Sequence, residues 1–115
     1  MSAAARGPVE ITVEALHALR EGQAPHTVLD VRQPEELELC ALPGALHIPM
    51  GDVPARLEEL RALDPSVPLV VLCHHGVRSL RVALYLQHEG LGHACSLRGG
   101  IDLWSTLIDP KVPRY

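Results

Sequence analysis

Phenylalanine is absent from this 115-residue sequence, and aromatic residues make up only 3% of it. Hydrophobic residues still account for 47% of the chain, so leucine, valine and alanine have to build the core. A chain of this length is typical of one domain with a single hydrophobic core. We therefore expect one aliphatic-cored domain at residues 9–108, followed by an extended tail at residues 109–115.

Several other features are also missing, and each excludes a class of protein. No apolar run approaches the roughly 20 residues of a membrane-spanning helix, and residues 1–8 lack the apolar segment of a secretory signal. We interpret residues 1–8 as a flexible leader. The net charge of -4 provides no general attraction to nucleic acid or to anionic membranes. The three cysteines form no C-x-x-C motif and cannot all pair, which favours free thiols in the cytoplasm.

Short apolar runs alternate with helical patterns, which indicates an α/β fold with a mostly parallel sheet flanked by helices. The pattern predicts strands at residues 9–11, 27–31, 45–48, 69–72 and 94–97. Thr12 is placed to cap a helix that buries Ala15, Leu16 and Leu19. A second helix is predicted at residues 34–39 and a third from residue 52. A fourth, at residues 80–89, is expected to bury Leu80, Ala83, Leu84 and Leu86, and a last helix follows residues 99–100.

The segment at residues 73–79 (CHHGVRS) carries most of the chemical information. It lies between a predicted buried strand and a predicted helix, so its backbone N–H groups and the helix dipole favour an anion at one point. Cys73 begins this loop and Arg78 ends it, so the anion can be the thiolate of Cys73 itself. Gly76 allows the backbone conformation in which successive N–H groups converge.

The remaining residues of the loop surround this predicted nucleophile. Arg78 offers a permanent cation suited to an oxyanion, and Ser79 can cap the next helix or donate to the sulfur. We expect His74 and His75 to line the pocket mouth, together with Val77. Two adjacent histidines cannot easily face one ion and no spaced partner pair is present, so no metal site is predicted.

Two other segments are expected at the same edge of the sheet, because ligand sites of parallel sheets lie beyond the carboxyl ends of the strands. Asp30 and Arg32 follow the second strand, and residues 99–100 (GG) follow the last. Asp30 can hold Arg78 or the loop backbone, and Arg32 can pair with Glu36 four residues on. A salt-bridged structural pair and direct substrate contact both remain open for Asp30 and Arg32.

Four segments in this order resemble the single-domain rhodanese (sulfurtransferase) family: residues 28–37 (VLDVRQPEEL), 42–49 (LPGALHIP), 73–79 (CHHGVRS) and 97–104 (LRGGIDLW). The resemblance covers nearly the whole chain and implies a rhodanese-like three-layer domain with five parallel strands. One departure is the pair Cys40-Ala41, where family members often carry Gly-His.

The resemblance also implies a double displacement through Cys73. The thiolate takes a sulfane sulfur from thiosulfate or a related donor as a persulfide, and passes it to an acceptor such as cyanide or a thiol. Arg78 and the loop amides stabilise the charge, Asp30 and Arg32 lie in a supporting position, and no cofactor is required. A protein persulfide is an alternative donor.

Two rival functions involve the same residues. One is a phosphatase or arsenate reductase on the same scaffold. The rhodanese-like phosphatases keep the cysteine and the arginine but lengthen the loop by one residue, whereas the loop from Cys73 to Arg78 holds six, which argues against this alternative. A non-catalytic module usually lacks the cysteine, but a sulfur carrier that turns over slowly without its protein partner remains open. Mercaptopyruvate-type loops carry small hydroxyl residues after the cysteine, so His74 and His75 favour thiosulfate or another sulfane donor.

Overall fold

The computed structural model describes residues 7–115. Five strands form one sheet: β1 (Glu10–Ile11), β2 (Thr27–Asp30), β3 (Leu46–His47), β4 (Leu69–Leu72) and β5 (Ala94–Leu97). Their spatial order is β1-β5-β4-β2-β3, and every neighbouring pair is parallel. The predicted α/β class and the five-stranded sheet are confirmed, and the predicted mostly parallel sheet is parallel throughout its described pairings.

Five α-helices flank the sheet: α1 (Val13–Glu21), α2 (Pro34–Leu39), α3 (Leu57–Arg61), α4 (Val77–His88) and α5 (Gly100–Leu107). The third predicted helix is in fact two short 3₁₀ turns, Met50–Asp52 and Pro54–Arg56, followed by α3. Thr12 caps α1 as expected, since its hydroxyl accepts a hydrogen bond from the amide of Ala15 at 3.1 Å. None of these helices is long and apolar enough to cross a membrane.

The two faces of the sheet each carry a separate hydrophobic cluster, because successive side chains of a strand point to opposite faces. Leu69 and Val71 of β4 pack with Leu60 of α3 and Leu86 of α4. Val70 and Leu72 of the same strand belong to the opposite cluster, whose other members include Val13, Leu16, Ile101 and Trp104. β4 is therefore buried on both faces, as an all-apolar central strand of a parallel sheet should be.

The sheet brings the predicted site segments to one edge. Asp30 and Leu72 are register partners at the carboxyl ends of β2 and β4, and Cys73 follows Leu72 directly. Arg98, Gly99 and Gly100 follow the end of β5, which pairs with β4 on the other side. The carboxyl ends of three adjacent strands, β2, β4 and β5, therefore meet around Cys73.

Helix α4 differs from the prediction in its start and in its buried face. It begins at Val77, three residues earlier than predicted, and the residues it buries are Ser79, Val82, Ala83, Leu86 and Gln87. Leu84 is 50% exposed, so the prediction that it faces the core was wrong. Ala15 of α1 is also exposed, whereas Val13 and Leu16 are buried. The buried face of α4 is rotated relative to the predicted one, because Ser79 in the first turn of the helix points toward Cys73.

Most of the predicted leader lies outside the described residues. Gly7, its first described residue, donates a backbone hydrogen bond to Gly92 at 2.9 Å. The predicted tail begins with turns at Pro110 and Lys111 and then runs irregularly to Tyr115. Val112, in the middle of this tail, is buried in the cluster that contains Trp104.

The rotated face of α4 is tested by a pair of substitutions. Val82→Ala removes buried methyl groups and should lower the free energy of unfolding by about 2 kcal/mol. Leu84→Ala, on the exposed face, should change it by less than about 0.5 kcal/mol. Urea unfolding of both variants measures the difference, and a larger loss in the Leu84 variant would contradict the observed orientation of the helix.

Candidate active site

Cys73 lies at the bottom of the predicted loop and is only 1% exposed. Its sulfur accepts hydrogen bonds from the backbone amides of Gly76 at 3.0 Å and Ser79 at 3.3 Å. The hydroxyl oxygen of Ser79 lies 3.2 Å from the same sulfur. Gly76 adopts a φ of 104°, in the left-handed region, and this conformation turns the chain so that both amides face the sulfur. The loop therefore provides the convergent donors that favour a sulfur anion.

The first residues of α5 form hydrogen bonds to the backbone of this loop. The amide of Ile101 donates to the carbonyl of Cys73 at 2.9 Å, and the amide of Asp102 donates to the carbonyl of His74 at 3.1 Å. Gly100 makes this approach possible, since a Cβ atom there would lie 2.4 Å from the oxygen of His74 and 2.5 Å from that of Cys73. Residues 99–100, which the sequence places at the same edge of the sheet as the loop, therefore lie directly against it.

Arg78 is turned toward α2, where it forms a two-pronged pair with Glu36. Its two terminal nitrogens donate to the two carboxylate oxygens of Glu36 at 2.7 and 2.9 Å. This contact raises the pKa of Arg78 and holds the pKa of Glu36 well below its usual range. The sequence predicts that Arg78 offers its cation to an oxyanion at the loop, whereas in the structure two of its nitrogens bind Glu36.

Asp30 and Arg32 bind each other, which is the salt-bridged alternative left open for them, and Asp30 does not hold Arg78. Arg32 is fully buried, and its guanidinium donates to both carboxylate oxygens of Asp30, at 2.7 Å for the shortest contact. It also donates to the backbone carbonyl of Cys40 at 2.8 Å. The suggested ion pair of Arg32 with Glu36 is wrong, because Arg32 reaches only the backbone oxygen of Glu36, at 3.4 Å. The carboxylate of Glu36 binds Arg78 instead.

Tyr115 contacts this network, and sequence reasoning did not find it. Its hydroxyl donates to Glu36 at 2.6 Å and accepts from Arg32 at 3.1 Å. Its ring stacks on the imidazole of His74, with centroids 3.8 Å apart and an interplanar angle of 7°. Burial raises the pKa of Tyr115 to about 12. No local motif marks Tyr115, because its partners lie 41 or more positions earlier in the chain.

His74 and His75 lie side by side at the loop, with ring centroids 3.8 Å apart. Burial, and then the neighbouring His75, lower the pKa of His74. His75 and Val77 are exposed, and the Nδ1 atom of His75 lies 3.9 Å from a carboxylate oxygen of Asp102. Among residues 7–115, no group of three or more histidine, cysteine or acidic side chains could hold a metal ion.

Ser96 is a second residue that the sequence analysis missed. It lies in β5, is fully buried, and its hydroxyl oxygen is 2.7 Å from that of Ser79. The pair Ser79–Ser96 continues the hydrogen-bonded chain that starts at the sulfur of Cys73. A serine in a short apolar strand gives no signal of this contact in the sequence, since its partner, Ser79, belongs to helix α4, which packs against the sheet.

The other cysteines lie away from this loop. Cys40 and Cys95 are both 8% exposed, and all three cysteines are free thiols. Cys95 borders a largely apolar cavity of about 320 Å³ that also touches Pro8, Pro68 and His93. Pro68 and His93 come directly before β4 and β5, so this cavity is at the opposite end of those strands from Cys73.

Comparison with known proteins agrees with this geometry. The family model described as Rhodanese-like domain matches residues 12–107. The chain belongs to the rhodanese-like domain family. This match includes every predicted site residue from Asp30 to Ser79, and it also includes Ser96 but not Tyr115.

Individual relatives of this rhodanese-like domain include two short bacterial proteins. It is 34% identical over 102 residues to the putative sulfurtransferase YtwF of Bacillus subtilis, covering 89% of this chain and 95% of the relative. It is 37% identical over 94 residues to the thiosulfate sulfurtransferase GlpE of Pseudomonas fluorescens, covering 82% of each. A crystal structure of a rhodanese-like domain protein from Staphylococcus aureus matches with a TM-score of 0.74 and 28% identity, over 92% of this chain and 97% of that one.

Other relatives are much longer than this chain. It covers 38% of the rhodanese-like/PpiC domain-containing protein 12 of Arabidopsis thaliana, with 34% identity over 115 residues. It covers 26% of the adenylyltransferase and sulfurtransferase MOCS3 of Aedes aegypti, with 32% identity over 114 residues. The rhodanese-like domain thus occurs both in short proteins and as a minor part of larger ones.

The contact between α5 and the loop is tested by substitutions at two glycines with positive φ. Gly44→Ala meets nothing within 4 Å and should cost only the backbone strain, about 1–2 kcal/mol. Gly100→Ala adds a collision with the carbonyls of Cys73 and His74, so its loss of unfolding free energy should be clearly larger. Urea unfolding measures both, and equal losses would contradict a tight contact at Gly100.

Burial raises the pKa of the Cys95 thiol to about 11. Cys95 should therefore stay a neutral thiol, and resist iodoacetamide, at every pH well below that value, because the thiolate is the reacting form. Peptide mass mapping of the folded protein after brief labelling measures this, with urea-unfolded protein as the control. Rapid labelling of Cys95 in the folded protein at neutral pH would contradict the prediction.

Proposed function

We propose that this chain is a sulfurtransferase that carries a sulfane sulfur on Cys73, with thiosulfate or a related small molecule as donor. The observation that carries the proposal is the arrangement around the Cys73 sulfur, where two backbone amides and one hydroxyl lie within 3.3 Å. Such a cluster of donors stabilises a thiolate, and it stabilises the anionic persulfide that replaces it.

The reaction has two displacement steps and requires no cofactor. In the first, the Cys73 thiolate attacks the outer sulfur of thiosulfate, the S–S bond of the donor breaks, and sulfite leaves with the bonding pair. In the second, cyanide or a thiol attacks the outer sulfur of the persulfide, and the Cys73 thiolate is regenerated. The protein thus forms one covalent intermediate, and electrons balance without an external oxidant or reductant.

Arg78 is assigned to the donor's sulfonate group and to the departing sulfite. Its guanidinium is about one-third exposed and is held by Glu36 beside the loop. Because two of its nitrogens bind Glu36, we propose that the donor binds the remaining N–H groups or displaces part of this pair. Asp30 and Arg32 act one step further back, as a buried pair that fixes the segment leading into α2.

The loop also bears on the choice of substrate. Six residues from Cys73 to Arg78 leave room for a sulfur atom, whereas the phosphatases that resemble this family use a loop one residue longer. His74 and His75 occupy the mouth in place of the small hydroxyl residues of mercaptopyruvate-type loops. We therefore propose thiosulfate or another sulfane donor, with a protein persulfide as the alternative donor and a thiol as acceptor.

Location and carrier function are also part of the proposal. Free thiols at Cys40, Cys73 and Cys95 are typical of a reducing compartment, so we propose the cytoplasm. Cys73 is almost fully buried, and this burial favours the second candidate function, a sulfur carrier that turns over quickly only when a protein partner opens the loop.

Intact mass spectrometry tests the persulfide. We expect the reduced protein to gain one sulfur atom after incubation with thiosulfate, and to lose it on addition of cyanide. Cys73→Ser should gain none, whereas the matched control Cys95→Ser should behave as the native protein.

The other outcomes distinguish the alternatives. A stable persulfide with very slow transfer to cyanide would favour the carrier function. If incubation with thiosulfate added no sulfur to the protein, thiosulfate would be excluded as the donor. Hydrolysis of a phosphate ester that depends on Cys73 would show that the argument from loop length is wrong.

A further inference from the structure

Two buried hydroxyl groups continue the hydrogen-bonded chain behind the Cys73 sulfur. Ser79, in the first turn of α4, has its hydroxyl oxygen 3.2 Å from the sulfur. Ser96, on β5, has its hydroxyl oxygen 2.7 Å from that of Ser79. Both side chains are 0% exposed. The three polar atoms therefore form a line that leads from the nucleophile into the core between the sheet and α4.

The position of Ser96 is one where an apolar side chain would ordinarily be expected. Its neighbours on β5, Ala94, Cys95 and Leu97, are all buried. Burying a hydroxyl without a partner costs about 1–3 kcal/mol. Among the described residues, the side-chain hydrogen bond found for Ser96 is the one to Ser79, so the hydroxyl of Ser96 is tied to the site.

We propose that Ser96 is a positioning residue for Cys73, because it sets the direction in which the Ser79 hydroxyl points and thereby stabilises the thiolate. The inference rests on the proposed nucleophilic function of Cys73. Ser96 does not touch the sulfur, and it acts entirely through Ser79.

The chain of hydrogen bonds can run in two directions. With a neutral thiol, Cys73 donates to Ser79, and Ser79 donates to Ser96. When the thiol proton leaves to solvent, no bond between heavy atoms changes, but both hydroxyls rotate. Ser96 then donates to Ser79, and Ser79 donates to the sulfur anion. Hydrogen bonds to an ionised group are roughly twice as strong as neutral ones, and bonds in a chain strengthen one another, so the second direction favours the thiolate.

Other groups also act on the Cys73 sulfur and remain when Ser96 is changed. The amides of Gly76 and Ser79 donate to it, and the charge of Arg78 on α4 acts on it across the loop. His74 and His75 are the titratable groups beside it on the loop. The contribution of Ser96 is therefore that of one hydrogen bond.

The test is a pH titration of thiolate absorbance in the ultraviolet. It uses full-length protein in which Cys40 and Cys95 are replaced by alanine, so that Cys73 is the one thiol left to ionise. Ser96→Ala should move the Cys73 midpoint upward by roughly half to one pH unit, which corresponds to one net hydrogen bond. Ser105→Ala is the matched control. Ser105 is also a buried serine, but its hydroxyl donates to the carbonyl of Val112 on the far side of α5, and the midpoint should not move.

A double-mutant cycle separates positioning from packing. Ser79→Ala should move the midpoint further than Ser96→Ala, and adding Ser96→Ala to it should produce no additional shift, since Ser96 acts only through Ser79. An equal shift in both backgrounds, or none in Ser96→Ala alone, would overturn the proposal. If Ser96→Ala does not fold, the near-isosteric variants Ser96→Thr and Ser96→Val add no thiol, and only Ser96→Val, which lacks the hydroxyl, should move the midpoint upward. Equal midpoints in these two variants would again count against the proposal.

The titration needs no sulfur donor, so its failure is distinguishable from failure of the proposed function. A native protein that forms the persulfide but shows no dependence on Ser96 would overturn only the inference about Ser96. The expected shift without any persulfide would overturn only the sulfur-transfer proposal.

Discussion

The close contact between two backbone segments, the loop that begins at Cys73 and the start of α5, is the constraint on which the site depends. Gly100 lets the amides of Ile101 and Asp102 reach the carbonyls of Cys73 and His74. With those carbonyls held from behind, the loop can turn its own amides toward the sulfur. The anion site is therefore built from main-chain amides of the loop after β4, which the start of α5 holds in place, and this arrangement explains how an aliphatic core supports a polar site.

Charged side chains stabilise the same loop from its other side. Arg32 is buried against Asp30, and the segment that they fix leads into α2, which carries Glu36. Glu36 in turn holds Arg78 at the start of α4, and Tyr115 bridges Arg32, Glu36 and His74. A buried charge is tolerated only when it is paired and hydrogen-bonded, so these contacts hold the guanidinium of Arg78 against α2 while leaving it partly exposed.

Much of the architecture follows from the sequence pattern, because period-two and helical patterns and cap residues act locally. The strand at residues 69–72, the helix at residues 34–39, the cap at Thr12 and the common edge of the site segments all appear as predicted. One of the errors concerns which side of a helix faces inward. Leu84 is as apolar as Leu86, and only the packing of α4 on the sheet, with Ser79 directed at Cys73, separates the exposed residue from the buried one.

By itself the sequence determined the family, the place of Cys73 at the start of its loop and the length of that loop, because the loop is a continuous segment whose chemistry is local. Tertiary structure alone decided which polar groups distant in the chain bind each other. Arg78 binds Glu36 across 42 positions, Tyr115 binds Glu36 across 79, and Ser79 meets Ser96 across 17. Such pairs depend on the spatial order of the strands in the sheet and on which face of each helix packs against it. A pattern in the chain does not encode these properties until the whole sheet is formed.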